Sequence, residues 1–231
     1  MNEKKWCLIT GSSNGFGRIL AICLAKNGYN IIIHGRNKKR LKSVSGEIKS
    51  IGSEFKIIRS DLNKIQSIKD IIKIIEEKNI KIVINNAAEY KFGKLIEHSD
   101  LYIEKIIKIN LIVPILITKY VINFYLKNGG GIIININTVA GKIGNENESI
   151  YCSSKFGLRG FSESIKHQLI KENIKIIDVY PGAMSIGMST KRGDLNLLID
   201  PVEVSDFIIK TLNNESFIIN DINLQRTHYK I

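Results

Sequence analysis

Tyr151 and Lys155 stand four residues apart in the stretch "YCSSK". On a helix, positions i and i+4 share a face, so the two side chains would project together. An ammonium beside a phenol favours the phenolate, drawing a reference pKa of about 10 toward neutrality. A phenol tuned in that way can exchange a proton with a substrate hydroxyl or carbonyl, which is the proton half of a hydride transfer. Upstream, "IIININTVAGK" (132–142) begins as an apolar run and ends on the polar pair Asn137 and Thr138. A hydroxyl at that point either caps a turn or enters a site.

A second chemical feature lies near the start. "TGSSNGFG" runs from Thr10 to Gly17 and directly follows the apolar run "WCLIT". The order of strand, glycine-rich turn and helix is the context in which backbone N–H groups cradle a pyrophosphate. Gly11 would permit the tight turn, Gly15 the approach of the phosphates, and Gly17 close packing of helix on sheet. Ser12, Ser13, Asn14 and Phe16 complete the turn. The spacing is Gly-x-x-x-Gly-x-Gly, and a purely structural turn is the competing reading. The next apolar run ends "IIIHGRNKKR" and has no carboxylate where a free ribose 2′-hydroxyl would be met. Arg36 occupies that place, and a guanidinium can bind a 2′-phosphate through charge-assisted hydrogen bonds. This favours NADP(H), with NAD(H) possible; the competing reading makes Arg36 part of a solvated basic helix start with Lys38, Lys39 and Arg40.

These residues need elements to hold them. Strands are expected at 6–10, 30–34, 54–60, 81–85, 131–137, 175–180 and 216–220, each a short continuous run rich in Ile and Val. Such runs suit strands buried on both faces of a parallel sheet. Helices are expected at 15–27, 37–51, 64–78, 99–127, 149–173 and 201–213. The alternation predicts an α/β fold: a doubly wound parallel sheet with helices on both faces, a Rossmann fold, in one domain spanning 1–231. No Pro-rich or Gly/Ser-rich linker divides it.

Taken together, the chain resembles the short-chain dehydrogenase/reductase family along nearly its whole length. "TGSSNGFG" matches the family's cofactor turn, and Asp61-Leu62 matches the pair after the third strand whose Asp holds adenine. "NNAA" (Asn85 to Ala88) matches the Asn-Asn-Ala-Gly stretch, placing Asn86 and Ala87 against the cofactor, and Pro181-Gly182 follows the sixth strand as expected. The resemblance implies that Tyr151 is the general acid/base and that Lys155 holds the nicotinamide ribose and tunes Tyr151. It implies that Asn110 anchors a water in the proton relay; otherwise Asn110 is a helix-kink residue bonded to its own backbone. The reaction implied is hydride transfer between the nicotinamide and a carbonyl/alcohol substrate.

Several positions depart from the family. Thr138 stands where the family has Ser, keeping the hydroxyl but adding a methyl and a stiffer χ1. Ala88 replaces the last Gly of its motif. Ile186 stands where the family has Thr, leaving Ser185 or Ser189 as substitutes. Thr138 and Ile186 keep a second function open: a catalytically weakened, dinucleotide-binding or regulatory protein. The segment 183–200 is expected to cover the substrate; its Met184, Met188, Lys191 and Arg192 suit either a substrate with apolar and anionic parts or a solvated lid. The tail lacks a Gly-rich ending, so the assembly is expected to be a homodimer through helices 99–127 and 149–173, or a homotetramer.

Composition sets the outer bounds. The 231 residues are 44% hydrophobic and 24% charged, as in ordinary soluble domains. The net charge of +12 is spread along the chain without interleaved aromatics, which argues against nucleic acid and leaves an attraction for a phosphorylated cofactor or an anionic substrate. An acidic acyl carrier protein would suit that charge by composition alone. The N-terminal segment lacks a signal-peptide core, and no uncharged run approaches the ~18 residues of a spanning helix, so no membrane partner is expected. Cys7, Cys23 and Cys152 are widely spaced, suiting a reducing cytoplasm. They and His34, His98, His167 and His228 lack metal-ligand spacing, so no metal site is expected. Cys152 reads as a packing residue.

Overall fold

The computed structural model describes residues 5–169, 171–186, 198–214, 216 and 218–226. Its elements are β1 (Trp6–Ile9), α1 (Gly15–Lys26), β2 (Asn30–Gly35), α2 (Lys38–Ser50), β3 (Phe55–Arg59), α3 (Ile65–Glu77) and β4 (Ile82–Asn85). These are followed by α4 (Asp100–Ile107), α5 (Val113–Lys127), β5 (Gly131–Ile136), α6 (Ser149–Gln168), β6 (Ile174–Pro181), α7 (Pro201–Leu212) and β7 (Asp221–Leu224). The strands form one parallel sheet in the order β3-β2-β1-β4-β5-β6-β7. The order reverses between β1 and β4, and a crevice opens there beyond the carboxyl ends of the strands.

Both faces are covered, as the apolar runs require. Cys7, Ile9, Ile31, Ile33 and Ile84 pack with Leu20, Leu24, Val44, Ile48 and Ile208 from α1, α2 and α7. Leu8, Ile32, Val83, Ile133 and Ile176 point the other way and pack with Ile71, Ile75, Ile117 and Val121 from α3 and α5. The alternation of consecutive residues between the two clusters follows from the pleat. Lys78 lies over the Trp6 ring, 5.1 Å from its centroid, at the amino end of β1.

Three expectations change. The last strand is Asp221–Leu224, not 216–220: Asp221 and Ile222 pair with Asp178 and Val179, while Lys166 binds Asn220 O at 2.9 Å and the Asp221 carboxylate at 2.8 Å. Ile218 is exposed and Ile222 buried, so the apolar run itself is not the paired segment. The helix expected over 99–127 is interrupted at Lys108–Ile112 by a π-helical turn, where the Val113 N–H reaches back to Lys108 O. Pro114 explains the break, because it cannot give the carbonyl of Asn110 the N–H that an α-helix would supply. The stretch Asp100–Lys127 is also long and apolar enough to cross a membrane by length and composition, which a search for uncharged runs overlooks. Here its Val113, Ile117, Val121 and Tyr125 are buried in the core.

Candidate active site

Gly11 lies in the turn just after β1 at φ 68°, and a Cβ there would come within 2.8 Å of Ala87 Cα. Only glycine suits both that backbone and that approach. A Cβ on Gly17 would sit 2.3 Å from Asn86 Nδ2 and 2.8 Å from Gly11 O. Asn86 is in turn fixed, its Nδ2 donating to Thr10 O at 2.8 Å. Thr10 Oγ1 accepts from the N–H groups of Asn86 (2.9 Å) and Ala87 (3.1 Å), locking the ends of β1 and β4 together. Helix α1 begins at Gly15 with Asn14 at its N-cap, without a side-chain cap and without an acidic residue in the first turn. Its first N–H groups therefore face the crevice as an anion site.

The crevice is a cleft of ≈ 750 Å³. Gly11, Ser13, Asn14, Gly15, Phe16 and Gly17 line its floor, with Arg36, Asp61 and Leu62 at one end and Asn86 and Ala87 beside the turn. Thr138, Tyr151, Lys155, Pro181, Gly182 and Ile186 line the other end. Arg36, Asn37, Arg40 and Ser13 together surround a small side recess. Two guanidinium groups, a hydroxyl and an amide at the adenosine end fit a phosphorylated ribose, and the uncapped helix end fits the pyrophosphate. A nicotinamide dinucleotide therefore fits these residues. At Asp61, burial pushes the carboxyl up, but both Asn63 donors and the Arg36 charge outweigh it and hold the pKa below the usual carboxylate value.

Two expected site residues stand elsewhere. Ser12 is fully buried; its hydroxyl donates to Ile9 O (2.9 Å) and accepts from the His34 N–H (2.9 Å), so it braces the turn rather than lining the cleft. Asn110 is buried behind the cleft wall. Its Nδ2 donates to Glu89 O at 2.9 Å and to Ser154 Oγ at 3.1 Å, and its Oδ1 accepts from the Glu89 N–H at 2.8 Å. The side chain thus clamps the loop after β4 rather than bonding its own backbone, and the π turn carries its main chain.

At the opposite end, Lys155 is 3% exposed. Its Nζ donates to Ile136 O at 2.9 Å and lies 6.0 Å from the centroid of the Tyr151 ring. Burial pushes its pKa down to about 8, with Asp178 opposing that shift. Asn137 joins strand and helix: its Nδ2 donates to Lys155 O (3.2 Å) and its Oδ1 accepts from the Thr138 N–H (3.0 Å). Thr138 Oγ1 donates to Pro181 O at 3.3 Å and accepts from the Ala140 N–H at 3.5 Å, so the hydroxyl both caps a turn and borders the cleft. Ser185, one candidate for the missing Thr, has its Oγ 3.5 Å from Ile199 O; Ser189, Met188, Lys191 and Arg192 lie outside the described residues.

Four residues escape the motif reading. His34 is buried; its Nδ1 accepts from the Gly11 N–H at 3.2 Å, and its Nε2 is 3.3 Å from Ser60 Oγ. Burial pushes its pKa down to about 4, keeping the ring neutral and able to accept. Tyr90 packs edge-on against Tyr151 with centroids 5.0 Å apart, and its hydroxyl donates to the buried Glu148 at 2.6 Å. Glu89 lines the cleft and pairs with Arg36. Only its position just after Ala88, itself a departure from the family's pattern, could have drawn attention to it. Among the described residues no group of His, Cys, Asp and Glu could hold a metal ion, and Cys7, Cys23 and Cys152 are free and buried.

Comparison with known proteins agrees with this geometry. The family model described as short chain dehydrogenase matches residues 5–196. Carbonyl reductase family member 4 of Xenopus tropicalis is 29% identical over 220 residues, covering 91% of this chain and 92% of the relative. The 3-oxoacyl-[acyl-carrier-protein] reductase FabG of Rickettsia typhi is 31% identical over 190 residues, covering 82% and 77%. Among solved structures, an alcohol dehydrogenase from the archaeon Thermococcus sibiricus, complexed with 5-hydroxy-NADP, superposes with a TM-score of 0.88 at 21% identity, covering 99% of each chain. A single-residue variant of the actinorhodin polyketide ketoreductase, with NADPH, has a TM-score of 0.88 at 22% identity, covering 98% of each chain. With a glycine-rich floor, a Tyr–Lys pair at one end of the cleft and a family match over most of its length, the chain belongs to the short-chain dehydrogenases/reductases.

Proposed function

We propose that this protein is an NADPH-preferring oxidoreductase that interconverts a carbonyl and an alcohol, with Tyr151 as the general acid/base. The observation that carries the reading is the pairing, at one end of the cleft, of Tyr151 with a buried Lys155 ammonium 6.0 Å from its ring. NADPH, when bound, supplies the hydride that the substrate carbon accepts. Tyr151 gives its proton to the substrate oxygen during reduction and takes one back during oxidation. Lys155, fixed by Ile136 O, keeps a positive charge beside the phenol and favours the phenolate that remains. Thr138 turns its hydroxyl from Pro181 O, a long 3.3 Å bond, to the substrate oxygen. Asn110 holds the loop carrying Glu89 and Tyr90 and, as the family's mechanism implies, anchors a water of the proton relay. At the other end, the Gly11–Gly17 turn takes the pyrophosphate, Asp61 and Leu62 the adenine, and Arg36 with Arg40 a 2′-phosphate.

The remaining features follow the same reading. The chain acts as one domain; of the segment 183–200 expected to cover the substrate, 187–197 lie outside the described residues. It works in the cytoplasm, where its three buried thiols stay reduced. It assembles as a homodimer through the helices within 99–127 and 149–173, where α5 and α6 expose Tyr120 and Phe156, or as a homotetramer. Its partners are small carbonyl or alcohol compounds, not nucleic acid or membrane. The test is NADPH oxidation against a panel of small ketones, sugars, steroids and acyl thioesters, with NADH alongside. Turnover of at least one carbonyl class, faster with NADPH, is expected; cofactor binding without turnover of any class would overturn the reading.

A further inference from the structure

Arg36 is not idle in the free protein. It follows β2, whereas Glu89 follows β4, and β1 lies between those strands in the sheet. Arg36 Nη2 nevertheless lies 3.2 Å from Glu89 Oε1, so their ion pair crosses the groove beyond β1. The same carboxylate oxygen lies 3.0 Å from Lys105 Nζ, which approaches from α4. The main chain of Glu89 cannot follow a departing partner, because Asn110 binds both its N–H and its carbonyl. Arg36 can move: its side chain is 59% exposed, against 21% for Glu89.

We infer that Glu89 is a cofactor-specificity residue whose carboxylate competes with the cofactor 2′-phosphate for Arg36, while Lys105 sets the strength of that competition. The inference rests on the reading of Arg36 as the 2′-phosphate ligand. A phosphate must draw the guanidinium off Glu89, whose charge is then left to Lys105. A ribose with a free hydroxyl makes no such demand, so the pair stays closed. Glu89 thereby tempers a preference for NADP that Arg36 and Arg40 would otherwise make steeper, and Lys105 relieves it by sharing the carboxylate.

Calorimetric titration with NADP and with NAD, at low salt and without substrate, tests this in the full chain. Glu89→Gln should tighten NADP by about two- to five-fold, the size of an exposed ion pair, and leave NAD unchanged. Lys105→Met should do the reverse, weakening NADP relative to NAD, and should lose that effect when combined with Glu89→Gln. An NADP-to-NAD affinity ratio unmoved by Glu89→Gln, while Arg36→Ala weakens NADP, overturns the inference alone. A ratio unmoved by Arg36→Ala overturns the reading of Arg36 and the inference with it.

Discussion

Replacing Lys155 with Met should abolish turnover and leave the cofactor-free protein at least as stable. Lys155 is 3% exposed, and burial, against the pull of Asp178, takes its ammonium from 10.5 down to about 8. A drop of that size corresponds to ~3.4 kcal/mol against the charged form in the folded protein. The ammonium also satisfies Ile136 O, and an unpaired buried carbonyl costs ~1–3 kcal/mol. The two terms leave the variant ~0–2 kcal/mol more stable near neutral pH. The pH dependence is the sharper signature. Because the folded pKa lies below the unfolded one, the penalty is full below about pH 8 and disappears as pH rises through 10.5. Urea unfolding of both proteins from about pH 7 to about pH 10 should show the wild type gaining ~2.5 kcal/mol on the variant. Thiols and phenols remote from Lys155 are common to both and cancel in the difference, and Tyr151, the phenol beside the ammonium, is replaced by Phe in both proteins so that its titration does not enter. A wild-type-minus-variant difference that stays flat over that range would refute the buried-ammonium argument.

Other perturbations reach other parts of the molecule. Gly17→Ala places a methyl 2.3 Å from Asn86 Nδ2; overpacking of that kind should cost ~1–3 kcal/mol in thermal unfolding and weaken cofactor binding in the same variant. Thr138→Val keeps the shape and removes the hydroxyl, so kcat should fall about 10²–10³-fold, as for loss of one oxyanion donor. Thr138→Ser should retain turnover and change KM most for bulky substrates. His34, neutral with its pKa pushed down to about 4 from 6.5, makes the folded protein bind fewer protons than the unfolded chain between those values. Stability should therefore be full above about pH 6.5 and fall by up to ~3.4 kcal/mol as pH drops through 4. His34→Gln should flatten that part of the acid unfolding curve, read by circular dichroism.

How much of this was legible in the sequence depends on what each residue answers to. Strands β1 to β6 and the helices on both faces answer to hydrophobic runs, and these were visible. The last strand answers to pairing: Ile222 is buried because Val179 and Lys166 hold Asp221–Leu224 in register, and "SFIIN" is the more apolar segment all the same. Pro114 was the visible cause of the π turn, yet the helical periodicity around it hides the break. Motif spacing placed Tyr151, Lys155, Thr138 and the glycine turn on one cleft, because those residues are fixed by short local geometry. It could not say which way a turn residue faces, so Ser12 was expected at the cofactor and is found bonded to Ile9 O and the His34 N–H. Nor could spacing reveal long-range partners. Glu89 and Arg36 are far apart in the chain, as are His34 and Gly11, and each pair meets only because β2, β1 and β4 are neighbours in the sheet.

The proposed chemistry turns on Tyr151 moving the proton. Its most direct test is single-turnover reduction of an accepted carbonyl by Tyr151→Phe, with NADPH binding to the same variant measured by fluorescence. Binding should survive while the rate falls at least ~10²–10⁴-fold, the range general acid–base catalysis contributes. A rate within a few-fold of the wild type, with binding intact, would contradict the role given to Tyr151.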